Sequence, residues 1–263
     1  MKKLIYTLPE PLVRAKVLHR PPSKINKSPY LAEILLEGEE CFAHTPALGC
    51  GGLVATNSIV WVCPSPSKDT ISKYIVFCAE DSDGKLIGIH PTISNTIIGR
   101  MLLLDIILKD LTEIRNETAC TFEGQSCRFD FSAIDSEGRK VFIEVKNVSL
   151  AIEEKPSGFF RSAVKTAIFP YGDGRKKPNS KPISPRALNQ IQIMTKLSET
   201  RQARCIVIYL TQRTDCKSIR ISEFDTTYRE AVCIASHSGV EIMGIAVEWR
   251  GSSIYFDRFL EVV

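Results

Sequence analysis

The chain has 263 residues, of which 44% are hydrophobic and 24% are charged, which is the composition of an ordinary soluble globular protein. This length allows one large domain or two small ones, and the net charge of +4 only weakly indicates an anionic partner. The nine cysteines show no C-x-x-C spacing, which argues against a zinc ribbon or a disulfide framework. No apolar run approaches the roughly 20 residues of a membrane helix, so we expect a cytoplasmic protein with reduced thiols.

The first third of the chain predicts a small β-barrel. Short apolar runs separated by Pro- and Gly-rich turns are typical of such barrels. We predict five strands, at Leu12–Leu18, Leu31–Leu36, Glu40–His44, Ile59–Val62 and Tyr74–Cys78. The turn at Asp81–Gly84 follows them. We place a domain boundary there, with one domain at 1–83 and the other at 84–263.

The remainder predicts a mixed α/β layer architecture of the α+β class, because helices and strands interleave. Ile97–Leu108 has the apolar density of a buried helix, with Asn95 or Thr96 as its N-cap. Pro185 after Ser184 marks the start of a second helix that runs to Glu199. Three further elements follow, a strand at Arg204–Leu210, a helix at Thr226–Ser236 and a strand at Gly239–Trp249.

The segment from Phe129 to Lys146 predicts a β-hairpin with one polar face. In its second strand Glu144 and Lys146 alternate with apolar residues, and in the first strand Phe129 and Phe131 share the face opposite to Asp130. A turn centred on Glu137 would place Asp130 opposite Glu144, with the two Cβ atoms roughly 5 Å apart.

Two facing carboxylates repel each other, and a divalent cation between them removes that penalty. We therefore predict that Asp130 and Glu144 bind Mg²⁺ or Mn²⁺, with Lys146 positioning an attacking water or neutralising charge in the transition state. The alternative is a solvated polar face, in which Lys146 pairs with Glu144 along one strand and the register keeps the two acids apart. Asp105, an acid within the apolar helix, is a candidate third carboxylate or marks the exposed edge of that helix.

A basic segment precedes and opens the helix at Pro185. Between Lys155 and Arg186 there are eight Lys or Arg residues and one acid, Asp173. We predict that it contacts the phosphates of a nucleic acid, although solvated charged loops have the same composition. The candidate nucleic-acid-binding residues are Arg175, Lys176, Lys177, Lys181, Arg186 at the helix start, and Gln190 within the helix.

The chain resembles the sugar fermentation stimulation protein (SfsA) family along nearly its whole length. The similar segments, in order, are LPEPLVRAKVLHR near the start, AHTP with Gly49, GIHPTISN at 88–95, RFDF at 128–131, VFIEVKNVSL at 141–150, AIFP at 167–170 and QRTD at 212–215. The resemblance implies an N-terminal OB-type barrel and a restriction-endonuclease-like PD-(D/E)xK domain. It assigns metal binding to Asp130 and Glu144, and hydrolysis to these two with Lys146.

The sequence departs from the family pattern at several positions. Ala47-Leu48-Gly49 stands where Asn-Thr-Gly is usual, and Asn95 alone remains of a second Asn-Thr-Gly-x-x-Asn motif. Asn189 and Gln190 replace a basic pair, and the segment after Pro170 is lengthened. These differences leave the three predicted catalytic residues in place and affect the expected substrate contacts.

Three functions remain open. The first is a metal-dependent nuclease that binds nucleic acid, with DNA favoured over RNA. The second is a non-catalytic DNA-binding regulator of sugar metabolism that retains the nuclease-like fold. The third is a small-molecule enzyme of carbohydrate metabolism, for which the sequence offers no sugar- or nucleotide-binding motif.

Overall fold

A computed structural model describes residues 2–23, 28–46, 52–67, 70–154, 164–170 and 183–263. The chain forms two compact units, each made of separate stretches of sequence. The first comprises Met1–Ile93, Gln212–Thr214 and Val247–Asp257. The second comprises Ser94–Thr211, Asp215–Ala246 and Arg258–Val263. The predicted boundary between residues 83 and 84 stays a prediction.

The first unit contains the predicted closed barrel. Up to residue 88, the strands of this unit are β1 (Leu4–Thr7), β2 (Val13–His19), β3 (Leu31–Leu36), β4 (Glu39–His44), β5 (Ile59–Pro64), β6 (Tyr74–Glu80) and β7 (Leu86–Gly88). The order β4-β3-β2-β5-β6 is closed by pairing of β4 with β6, which leaves no edge between them. Alternate residues such as Ala15 and Val17, or Val60 and Val62, fill the interior. The OB-type barrel is confirmed.

The second unit is built on a mixed sheet with helices, which confirms the α+β class. Its helices are α1 (Ile93–Leu103), α2 (Pro185–Glu199) and α3 (Thr226–His237). Its strands are β8 (Thr112–Phe122), β9 (Gln125–Ile134), β10 (Lys140–Asn147), β11 (Ala151–Glu154), β12 (Val164–Phe169), β13 (Arg204–Thr211), β14 (Cys216–Ile221), and the parts of β15 (Glu241–Arg250) and β16 (Ser253–Val262) that lie outside Val247–Asp257. The strand order is β11-β12-β14-β16-β15-β13-β10-β9-β8, and β10, β13 and β15 run parallel.

Helix α1 begins four residues earlier and ends five residues earlier than the predicted 97–108 segment. The chain leaves the helix because Asp105 adopts a positive φ of 50°. The amide of Asp105 then bonds to the carbonyl of Leu102, and that of Ile106 to the carbonyl of Met101, which is a Schellman termination. Asp105 is exposed beyond the helix end, so its predicted place within a buried helix is wrong.

Helix α2 begins at Pro185 and ends at Glu199, as predicted. Its buried side includes Ala187, Gln190, Ile191, Met194 and Leu197. The four apolar residues among these share one core cluster with Phe142 of β10, alternate residues of β13 and the buried face of α3. Gln190 is therefore carried to the sheet on the inner face of an otherwise apolar helix surface.

A buried pair of tyrosines joins β13 to α3 and tests this packing. The hydroxyl oxygens of Tyr209 and Tyr228 lie 2.7 Å apart, and both side chains are fully buried. Tyr209→Phe is expected to lower the free energy of unfolding by about 1–3 kcal/mol, because it leaves the other hydroxyl without a partner. In the double variant with Tyr228→Phe no hydroxyl remains unpaired, so its loss is expected to be smaller than that of either single variant. Urea denaturation followed by far-UV circular dichroism measures both, and additive losses would contradict the pairing.

Candidate active site

The central hairpin has the predicted register over its first four residue pairs. The paired residues run from Lys140 and Ile134 to Ile143 and Phe131, which places the turn centre at Glu137. The turn is held by Asp135, whose carboxylate accepts hydrogen bonds from the amides of Glu137 and Arg139. Gly138 takes a positive φ of 77°, which glycine adopts without strain. The turn chemistry thus sets the register of the strand that carries Glu144 and Lys146.

The ladder between β9 and β10 ends at Asp130. There the amide of Val145 donates to the Asp130 carboxylate at 2.7 Å. On one side of this point Phe131 lies against Gly99 of α1, and on the other Phe129 packs on Phe142 at 4.9 Å between ring centroids. The predicted alternation, with both phenylalanines on one face, is therefore wrong. The irregularity directs the Asp130 side chain toward β10, as bulges near functional sites commonly do.

A second contact fixes Asp130 from helix α1. The side-chain amide of Asn95 donates to Asp130 Oδ1 at 2.8 Å. The neighbouring Ser94 hydroxyl donates to Asn147 Oδ1 at 3.0 Å, so the first turn of α1 is bonded to both strands of the hairpin. Asn95 lies within the helix rather than capping it as predicted. Its contact with Asp130 joins segments 35 residues apart and has no local sequence signal.

Lys146 and Glu144 form a buried ion pair, with 2.7 Å between Nζ and Oε1. Lys146 also donates to Gln190 Oε1 at 2.8 Å, and Gln190 Nε2 donates to the carbonyl of Arg128 at 3.0 Å. The exposed fractions are 4% for Glu144, 8% for Lys146 and 2% for Gln190. The predicted alternative of a solvated polar face is wrong, although its Lys146–Glu144 contact is present.

Glu144 is left incompletely satisfied. Its Oε2 is buried and has no hydrogen-bond partner among the described residues. Burial raises the pKa of Glu144 above its usual 4.5, and the nearby charge of Asp130 raises it further, while Lys146 and Arg186 act in the opposite direction. A buried oxygen without a donor is costly unless something else binds it.

The structure brings five of the predicted site residues together around one cavity of about 250 Å³. They are Asp130, Glu144, Lys146, Arg186 and Gln190. The rest of the lining comes from Val145, Phe169, Ser184 and Ala187. Arg186 is exposed at the start of α2, whereas Gln190 is buried against Lys146. The other four predicted residues, Arg175, Lys176, Lys177 and Lys181, lie outside the described residues.

The donor set of this cavity fits a hard divalent cation. Glu144 Oε2 needs a partner, and the Asp130 carboxylate retains acceptor capacity beyond its two hydrogen bonds. Within the described part of the chain, no group of three or more His, Cys, Asp or Glu side chains could hold a metal ion. An ion here would therefore rest on two carboxylates and complete its coordination with water or substrate oxygens.

Comparison with known proteins identifies the chain's relatives. Residues 178–253 match a family model described as "Sugar fermentation stimulation protein RE domain". A sugar fermentation stimulation protein homolog from Dinoroseobacter shibae is 28% identical over 237 residues, covering 89% of this chain and 86% of its own. One from Rhodospirillum centenum is 26% identical and covers 97% of this chain and 98% of its own. The chain is therefore similar to SfsA-family proteins along nearly its whole length.

A solved SfsA structure shows the same fold. It is the Pyrococcus furiosus protein in complex with Ca²⁺, with a TM-score of 0.77 and 18% identity, and the match covers 100% of this chain and 99% of that one. The longest helix in the described ranges, α2, has 15 residues, which is too short for a membrane span. The cytoplasmic location stays a prediction.

The charges around Glu144 predict that two substitutions shift its pKa in opposite directions. Lys146→Met is expected to raise the pKa of Glu144 further, because it removes a positive neighbour, and Asp130→Asn to lower it, because it removes a negative one. The exposed Asp105→Asn serves as the control, with no expected change. Carboxyl ¹³C NMR across a pH series in chelator measures all three, and shifts of the same sign in Lys146→Met and Asp130→Asn would contradict the geometry.

Proposed function

We propose that this protein is a metal-dependent phosphodiester hydrolase that binds nucleic acid, with DNA preferred to RNA. The observation that carries the proposal is the buried Oε2 of Glu144, which has no partner among the described residues and belongs to the same cavity as Asp130 and Lys146. An acceptor left in this state fits a cation better than it fits a structural role. The Ca²⁺ complex of the Pyrococcus furiosus relative supports a divalent-ion site in this fold.

Each residue has a role that follows from its contacts. Asp130 and Glu144 would hold the ion, which when bound polarises a phosphate and lowers the pKa of a coordinated water. Lys146 carries three N–H donors, of which Glu144 and Gln190 accept two, so one donor is left for a water or a phosphate oxygen. Arg186 would contact a non-bridging oxygen from the edge of the cavity.

The raised pKa of Glu144 sets the direction of the pH dependence. The ion needs the ionised carboxylate, and protonation of Glu144 removes that ligand. Because the pKa is raised, metal binding is expected to weaken on acidification at a higher pH than an ordinary glutamate would give. Above that pH the carboxylate is charged and the site is complete.

The central test is cleavage by substituted proteins. Asp130→Asn and Glu144→Gln are each expected to lower cleavage about 100-fold or more, because each removes a preorganised charge from the reaction centre. Binding in chelator should stay largely intact. Duplex DNA, single-stranded DNA and RNA are incubated with Mg²⁺, Mn²⁺ or chelator, and binding and cleavage are scored separately.

Asp105→Asn is the matched control for this test, because it removes an exposed carboxylate at the end of α1. Full cleavage by Asp130→Asn would remove the assignment. Salt-sensitive binding without cleavage under either metal would leave the DNA-binding regulator that retains the fold.

The affinity for a metal ion tests the hydrogen bond between Asn95 of α1 and Asp130 of the hairpin. Asn95→Ala removes the hydrogen bond to Asp130 Oδ1 without touching a proposed ligand. It is expected to weaken Mn²⁺ binding about 10-fold or more, the size of loss typical when a residue that orients a metal ligand is removed. Isothermal titration calorimetry measures the affinity, with the exposed Asn116→Ala of β8 as control. Equal affinities for the wild type and Asn95→Ala would show that Asp130 needs no support from α1.

A further inference from the structure

A second cavity of about 350 Å³ adjoins the candidate active site. It is lined by Ser126, Cys127, Arg128, Arg186, Asn189 and Gln190. Arg186 and Gln190 also line the first cavity, so the two cavities share these two side chains. The lining contains two arginines and neither an acidic nor an aromatic residue. We name this second cavity the Arg128 pocket.

The arginines of the Arg128 pocket have donors to offer. Within the described ranges, the side chains of Arg186 and Asn189 make no hydrogen bond or ion pair, although both backbones belong to α2. Arg128 pairs with Glu117 at 3.1 Å, but both side chains are more than 60% exposed. Exposed ion pairs contribute little free energy, so a doubly charged or bridging anion can compete for this guanidinium.

The pocket is held at a fixed place relative to Lys146. Gln190 forms the wall between the two cavities, with its carbonyl on Lys146 and its amide on the backbone of Arg128. Because Gln190 is buried and bonded on both sides, the wall cannot shift without breaking hydrogen bonds. The start of α2 adds a positive partial charge, and its first turn contains no acid.

These features select the chemical class of the ligand. Nucleobases are bound by stacking on aromatic side chains, which the lining does not provide. Guanidinium forks match phosphate oxygens in geometry and charge. The candidate active site and the Arg128 pocket share Arg186 and Gln190, so together they suit two successive phosphates of one strand.

We propose that the Arg128 pocket binds the backbone phosphate next to the one at the metal centre, through Arg128 and Asn189, with Arg186 lying between the two phosphates. This inference rests on the proposed function for its substrate, since it assumes a nucleic acid in the neighbouring cavity. It assigns a binding role to Arg128 and Asn189, and it orients the strand along the start of α2.

The salt dependence of binding tests the pocket without any need for cleavage. Each phosphate contact contributes about 0.9 to the slope of log K against log salt concentration for duplex DNA, and about 0.7 for single strands. Arg128→Gln is expected to lower the slope by about this amount, and Arg128→Lys to retain it, because the slope reports charge. Fluorescence anisotropy with labelled DNA in chelator, over a series of salt concentrations, measures the slope.

Arg115→Gln is the matched control. Arg115 is an exposed arginine on the adjacent strand β8, is paired with the exposed Glu113 at 2.9 Å, and does not line the pocket. Its substitution is expected to leave the slope unchanged. Asn189→Asp places a negative charge in the pocket and is expected to weaken binding at low salt, whereas Asn189→Ala has a smaller effect.

The outcomes separate this inference from the proposed function. A slope reduced in Arg128→Gln but not in Arg115→Gln supports the pocket, even if no metal gives cleavage and the hydrolase proposal fails. Equal slopes for the wild type and Arg128→Gln overturn the pocket, even if Asp130→Asn abolishes cleavage as expected. Equal reductions in Arg128→Gln and Arg115→Gln also overturn it, because they indicate diffuse attraction instead of a site.

Discussion

The ammonium group of Lys146 connects the elements on which the candidate site depends. It lies on β10, donates to Glu144 on the same strand, and donates to Gln190 on α2. Without it, the Glu144 carboxylate would lie buried beside the negative charge of Asp130 and would tend to take up a proton. Buried ion pairs seldom stabilise a fold more than apolar side chains of the same volume would. The pair therefore adds little stability, and under the proposed function it holds Lys146 beside the two carboxylates.

Gln190 has a role that a basic residue could not fill. The SfsA resemblance implies a basic pair at positions 189 and 190, where this chain has Asn189 and Gln190. A glutamine both accepts and donates hydrogen bonds, so it can accept from Lys146 and donate to the backbone of Arg128. A lysine there has no acceptor and would add a second positive charge beside the first. The positive charge facing the second cavity comes instead from Arg128 and Arg186.

Much of the fold could be predicted because local patterns agree with the tertiary structure. Short alternating runs between Pro- and Gly-rich turns defined the barrel strands, and Ser184-Pro185 defined the start of α2. The prediction failed at the end of α1, where a backbone turn ends the helix although the sequence remains apolar. Apolar residues continue past Leu103, so only the positive φ at Asp105 and its hydrogen bonds reveal where α1 ends.

For the candidate site, the identity and approximate spacing of Asp130, Glu144 and Lys146 follow from the sequence alone, because turn chemistry at Asp135 and Gly138 is local and sets the hairpin register. Three features are visible only in the folded chain: the ladder breaks at Asp130, Asn95 bonds to this carboxylate, and Gln190 is buried against Lys146. Each of these contacts joins residues distant in the chain through side-chain hydrogen bonds. Strand periodicity describes only neighbours along one strand, so it cannot show which distant donor reaches which acceptor.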